Sequence, residues 1–169
     1  MKNFKELLNE VKAFVFDVDG VMTDGSVLLM PDGEMIRKLN MRDGFAIQLA
    51  IRTGFRVAVI TGTSSPALRR NLYTLGITDV YMSSRDKKDS FDEFLLTHEV
   101  APSQILIMGN DLPDYEVMNL CELRTCPADA ATEIRSLCQY VSPRKGGDGC
   151  VRDVIEQVLK AQGKWLELN

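Results

Sequence analysis

A chain of 169 residues that is 45% hydrophobic and 26% charged has room for one domain with a real core, and its make-up is that of an ordinary soluble globular protein. A net charge of -4 and a pI near 5.1 argue against a nucleic-acid binder, which carries a basic face. The opening MKNFKELLNEVK is polar and amphipathic without the apolar centre of a secretory signal, and no apolar run is long enough to span a bilayer, so a cytoplasmic protein without membrane contact is expected.

The run 13–16 (AFVF) is apolar at every position, as a strand buried on both faces is. It ends in DVDG, which sets Asp17 and Asp19 two residues apart, with Asp24 close behind. Like charges so near one another repel, and a bound cation is the simplest way to hold them. At 27–39 the sequence VLLMPDGEMIRKL places Asp32-Gly33 between two apolar stretches, a hairpin signal. This hairpin should project after the first strand as a flap or a surface for partner subunits. A helix is predicted over 42–53, stopped by Gly54, and Arg42-Asp43-Gly44 at its start fits either a substrate contact or a helix cap.

A second buried run, 55–60 (FRVAVI), leads into Thr61-Gly62 and a helix over 65–75 that opens on Ser-Pro. A shorter strand candidate at 80–82 precedes Lys87 and a helix over 89–98, with His98 expected to be exposed. The third long run, 104–108 (QILIM), ends in Gly109-Asn110-Asp111, with Asp114 three further on. Helices over 114–119, 128–137 and 151–161 complete the series. The four cysteines (Cys121, Cys126, Cys138, Cys150) form no CxxC pair and have a single histidine to join them, so buried thiols are expected and zinc is not. Alternating strands and helices imply right-handed βαβ units and a three-layer α/β/α Rossmann-like parallel sheet. Residues 1–169 then form a single domain with a projecting hairpin. No insertion is large enough for a separate cap domain.

Each buried run ends in chemistry, and in an open parallel sheet those ends meet at one edge. Gathered there are two carboxylates, an acidic loop, the hydroxyl of Thr61 with backbone N–H groups, and the ammonium of Lys87. Carboxylates and carbonyls suit Mg²⁺, while the hydroxyl and ammonium suit phosphate oxygens. The set describes phosphoryl transfer, with one carboxylate attacking phosphorus and the other serving the leaving oxygen and then water.

FDVDGVMTDG, ITG at 60–62, DKKD at 86–89 and GNDLPD at 109–114 resemble the four ordered motifs of haloacid dehalogenase superfamily phosphatases. The hairpin with Gly33-Glu34, LNMRDGFAIQLA at 39–50 and GGDGCVRDVIEQVLKAQG at 146–163 narrow the resemblance to the small cap-less branch that includes 3-deoxy-D-manno-octulosonate 8-phosphate (KDO 8-phosphate) phosphatases. It implies Asp17 as nucleophile and Asp19 as acid/base, with Asp19 also binding metal through its backbone carbonyl. Thr61 and Lys87 would hold phosphate, Gly62, Arg69 and Arg70 the substrate, and Asp17, Asp19 and Asn110 the Mg²⁺. The motif departs at Asn110, where relatives have Asp, and Asp111 next door is the alternative ligand. Thr63 and Asn71 also replace a charged residue and an arginine.

The implied reaction is Mg²⁺-dependent hydrolysis of KDO 8-phosphate through an aspartyl-phosphate, in a homotetramer with hairpins packed centrally. Neighbouring subunits, through the 144–150 tail (RKGGDGC), would complete each pocket, and Arg69, Arg70, Arg144 and Lys145 would supply charge for an acidic sugar. A phosphatase for another sugar acid, such as a sialic-type 9-phosphate, is the near rival. A phospho-accepting signalling receiver and a weakened structural subunit are the rivals from other classes.

Overall fold

The computed structural model describes residues 3–166. A short helix α1 (Phe4–Leu8) precedes the central strand β1 (Ala13–Phe16). A wide turn at Val18–Met22 follows and leads to a two-stranded hairpin, β2 (Leu28–Leu29) and β3 (Met35–Ile36). Then come α2 (Met41–Arg52), β4 (Arg56–Ile60), α3 (Pro66–Thr74), β5 (Asp79–Tyr81), α4 (Lys87–His98), β6 (Ile105–Met108), α5 (Tyr115–Met118), β7 (Leu123–Cys126), α6 (Thr132–Leu137), β8 (Tyr140–Val141) and α7 (Cys150–Ala161).

The sheet runs β5-β4-β1-β6-β7-β8, and every pairing in it is parallel. In β1, Phe14 and Phe16 enter the core layer shared with α2, α3 and α7, while Ala13 and Val15 enter the layer shared with α4, α5 and α6. Burial on both faces is why this strand reads as an unbroken apolar run. The chain passes from β1 to β4 on one side and later returns to β6 on the other. The carboxyl ends of β4, β1 and β6 therefore open on a crevice where the winding reverses.

The hairpin forms as the Asp32-Gly33 signal requires, pairing Leu28 with Ile36 and Leu29 with Met35. Gly33 sits at φ 87°, and Asp32 Oδ1 accepts the Glu34 N–H at 3.0 Å. The predicted helix at 128–137 shortens to α6, because residues 128–131 form a turn with Ala128 N–H bonded to the Arg144 carbonyl and Ala130 N–H to that of Pro127. β7 and β8 lack a sequence signal: Arg124 interrupts the first and the second is two residues long. His98 is not exposed as expected. The crossover from α4 returns its end to the start of β5, where His98 Nε2 meets Asp79 Oδ1 at 2.8 Å and its ring packs on Phe94. No helix among the described residues is long and apolar enough to cross a membrane.

Candidate active site

Asp17 is the first residue beyond β1, and its N–H still bonds the Met108 carbonyl of β6. That last sheet contact fixes where its carboxylate begins. Lys87 opens α4, whose N-cap Asp86 accepts the Lys88 N–H at 2.9 Å. The Lys87 ammonium lies 2.9 Å from Asp17 Oδ1 and 2.6 Å from Asp114 Oδ1, and all three side chains are nearly buried. Asp114 ties the third strand end to this group: its Oδ2 accepts the Asn110 N–H at 2.8 Å and the Asp111 N–H at 3.3 Å. Burial, helped by the nearby Asp114 carboxylate, pushes Asp17 up to about 6 against the pull of Lys87. Lys87 is pushed down by burial, yet the two carboxylates outweigh this and hold it above the usual lysine value. Lys88, the next residue, faces outward and pairs with Asp92 at 3.0 Å.

Asp19 lies two residues on, in a different setting. The turn carrying it breaks at Gly20 (φ 90°, ψ -2°), and the Thr23 hydroxyl accepts the Gly20 and Gly25 N–H groups. The Asp19 carboxylate is a third exposed and is gripped from the side by Arg37, just past β3: Nε donates to Oδ1 at 2.6 Å and Nη2 to Oδ2 at 3.2 Å. Thr63 Oγ1 donates to Oδ2 at 2.6 Å. Burial raises the Asp19 pKa, but the hydrogen bonds from Arg37 and Thr63 and the guanidinium charge prevail, and it lies below the usual carboxylate value. Asp24, by contrast, is a turn residue whose Oδ1 accepts both the N–H and the hydroxyl of Ser26.

Thr61 ends β4 fully buried, with its hydroxyl accepting the Thr63 N–H at 3.2 Å. Gly62, Thr63, Ser64 and Arg70 line a cleft of about 570 Å³ together with Glu34 and Arg37 of the hairpin. Arg69 is not brought there. It turns back along the sheet, bonding the Val80 carbonyl at 3.4 Å and the Tyr73 hydroxyl at 3.2 Å. Arg144 lines a separate cleft with Lys38 and Arg42 on the other side of the 147–149 loop.

Asn110 offers an oxygen to a cation. Its Oδ1 is buried and accepts no hydrogen bond. A buried carbonyl oxygen without a donor costs about 1–3 kcal/mol, so an unmet ligand is expected there. Gly20 makes room for this side chain, since a Cβ at Gly20 would stand 2.1 Å from Asn110 Nδ2 and 3.0 Å from Oδ1. Asp111 points elsewhere: it is exposed and its Oδ1 caps the next turn through the Leu112 N–H at 2.8 Å. Among the described residues no three His, Cys, Asp or Glu side chains converge as a metal site. Carboxylates, an amide oxygen and a backbone carbonyl are hard oxygen ligands, which fit Mg²⁺.

Sequence reasoning missed Arg37, Asp114 as the partner of Lys87, and the packing of the tail on its own chain. Residues 146–150 pack on the strand-end turn of their own chain. Gly147 N–H bonds the Val21 carbonyl at 3.0 Å, Gly146 N–H bonds Asp129 Oδ1 at 3.0 Å, and the Cys150 thiol donates to the Val21 carbonyl at 3.1 Å. In Arg42-Asp43-Gly44 the aspartate is engaged structurally, while Arg42 lines the cleft with Arg144. Asn40 caps α2, and Asp43 Oδ1 accepts the Arg152 N–H at 2.7 Å, capping the start of α7 across the fold. The signal available for Arg37 was a cation in a hairpin otherwise rich in exposed apolar residues.

No family model matches the chain. It is 38% identical, over 91% of its length and 82% of the relative's, to a 3-deoxy-D-manno-octulosonate 8-phosphate phosphatase of Yersinia pestis. A solved structure of such a phosphatase from Y. pestis is similar with a TM-score of 0.93 at 36% identity, covering 95% of this chain and 87% of that one. The Moraxella catarrhalis phosphatase of the same name, solved with magnesium, phosphate and KDO, is similar with a TM-score of 0.92 at 27% identity, covering 96% and 93%.

Proposed function

The chain belongs to the 3-deoxy-D-manno-octulosonate 8-phosphate phosphatase family of the haloacid dehalogenase superfamily, and from that premise we propose that it hydrolyses KDO 8-phosphate to KDO and phosphate. The supporting observation is one strand end that carries two carboxylates in unlike settings, Asp17 caged with a buried ammonium and Asp19 a third exposed in the grip of Arg37 and Thr63. Asp17 attacks phosphorus as its bond to the leaving oxygen breaks, forming an aspartyl-phosphate. Asp19 gives the leaving oxygen its proton. As a carboxylate it then takes a proton from the water that releases phosphate. Thr61, the backbone N–H of Gly62 and Lys87 hold the phosphate oxygens. Asp17, the Asp19 carbonyl and Asn110 Oδ1 hold Mg²⁺, which when bound supplies the positive charge that offsets repulsion between Asp17 and the phosphate.

The six-stranded sheet carries a core layer on each face, which supports a single domain. The hairpin exposes Leu28, Leu29, Met35 and Ile36 side by side, and we assign it to contacts between copies of the chain in a homotetramer. The cysteines are all free thiols, which supports the cytoplasm as the site of action.

The test is phosphate release from KDO 8-phosphate with and without Mg²⁺, beside a nine-carbon sugar-acid 9-phosphate and neutral sugar phosphates. Fast, selective, Mg²⁺-dependent release that Asp17→Asn abolishes is expected. Preference for the nine-carbon ester replaces the substrate and keeps the mechanism. A folded Asp17→Asn variant with normal turnover removes the nucleophile assignment.

A further inference from the structure

The grip on Asp19 conflicts with its work as an acid. Arg37 Nε and Nη2 occupy both carboxylate oxygens, Thr63 Oγ1 donates to one of them, and Nη2 reaches Thr63 as well at 2.9 Å. Nη1 donates to the Met35 carbonyl at 3.0 Å, and the arginine side chain is 8% exposed. A general acid must hold a proton on one of those oxygens and aim it at the leaving atom. An oxygen that already accepts from a guanidinium or a hydroxyl is badly placed to do so. The grip has to open for the first half of the reaction and can close for the second, when Asp19 is a base.

The means of opening lies beside it. Arg37 and Thr63, which hold the Asp19 carboxylate, both line the 570 Å³ cleft. Arg70 lines the same cleft, and its guanidinium has no hydrogen bond or ion pair among the described residues. Among the described residues, Glu34 is the only acidic side chain lining it. A planar guanidinium fits any carboxylate in the same two-pronged way, so exchanging one carboxylate for another costs little. A second cation nearby then decides which of the two prevails.

We propose that Arg37 is a positioning residue that works as a substrate-operated latch. A carboxylate on the leaving group of the phosphoester, drawn into the cleft with Arg70, takes the guanidinium from Asp19 and frees Asp19 to act as the acid. Esters without that second anion leave the latch shut. Selectivity for acidic sugar phosphates then arises from release of the acid as well as from binding. The inference rests on the reading of Asp19 as the acid/base.

The experiment compares kcat and KM for KDO 8-phosphate and for a neutral sugar phosphate, both with Mg²⁺, in the wild type, Arg37→Ala and Arg37→Lys. In Arg37→Ala, KM for the acidic ester should rise and kcat/KM should fall by about 10- to 100-fold, the worth of a charged hydrogen-bonded pair. The kcat for the neutral ester should rise. Opposite signs on two substrates are not produced by a damaged fold. Arg37→Lys should recover part of the selectivity, since it keeps charge and loses the fork. In the wild type, free KDO should shift the Arg37 Nε–H resonance and the neutral sugar should not. Equal losses on both esters, or an unchanged ratio, overturn the latch while leaving the phosphatase reading standing. A folded wild type silent on both esters sinks that reading, and the latch with it.

Discussion

Gly146→Ala tests whether the tail sets the position of the strand-end turn. A Cβ at Gly146 would stand 2.0 Å from the Gly20 carbonyl oxygen, 2.6 Å from its carbon and 2.8 Å from the Thr23 oxygen. Ordinary contact begins near 3.4 Å, so the two backbones must part by about 1.4 Å. Neither side yields easily. The tail is pinned by the Gly146 bond to Asp129 and the Gly147 bond to Val21. On the other side, Gly20 already lies against Asn110. Any shift of Gly20 moves Asp19, whose carboxylate Arg37 and Thr63 hold from a different direction. A misplacement of about 1 Å at a reacting group costs around 100-fold in rate, and overpacking of this kind costs about 1–3 kcal/mol of stability. Steady-state kinetics of phosphate release should show kcat down by about 100-fold, while circular dichroism shows a folded protein with a lowered Tm. A folded variant with kcat within a few-fold of wild type would refute the argument that the tail positions the turn.

Lys87→Met leaves the Asp17 and Asp114 carboxylates buried without their shared ammonium; urea unfolding near pH 7.5 should show a loss of about 3–5 kcal/mol, and an unchanged midpoint would mean that the carboxylates are satisfied otherwise. Asp43 is pushed up to about 6, chiefly by burial, from an ordinary 3.8, so the folded chain holds that proton more tightly than the unfolded one. The stability it lends is complete below pH 3.8 and is lost as pH rises through about 6, a swing of about 3 kcal/mol. Against the wild type, Asp43→Asn should gain by about that amount between pH 4 and 7.5; a pH-independent difference would contradict the assignment. Asn110→Asp restores a charge of matching shape at the orphaned oxygen, and calorimetric Mg²⁺ titration should show affinity tightened by about tenfold or more. No change would place the cation away from residue 110.

The elements that sequence reading recovered are those whose signal is local. β1 and β6 are buried at every position and β4 at every position after Arg56, so their residues form apolar runs, and the chemistry begins where each run ends. Residues joined only by the folded chain escaped it. Arg37 reaches Asp19 across 18 positions, Lys87 reaches Asp114 across 27, and Asp43 caps a helix that begins more than a hundred residues later. The glycines of the tail imply a close approach without saying to what, and within this chain it is to the backbone of Gly20 and Thr23. Thr63, where relatives carry charge, likewise gave no hint that it faces inward to Asp19.

Asp17 and Asp19 leave the same strand and are held by opposite logics. A nucleophile, the role proposed for Asp17, must stay in one place through the reaction, and Asp17 is fixed by the sheet bond to Met108 and by a buried ammonium that Asp114 also holds. An acid/base residue must change protonation state twice in each cycle, which a fully buried ion pair would resist. Asp19 is therefore divided. Its backbone rests on the turn braced by the tail, while its carboxylate is left a third exposed and gripped by partners on a projecting hairpin and a loop. The one-residue spacer between the aspartates turns a single strand end into two environments. A substitution that stiffens the hairpin should thus impair proton transfer while leaving formation of the Asp17–Lys87 cage intact.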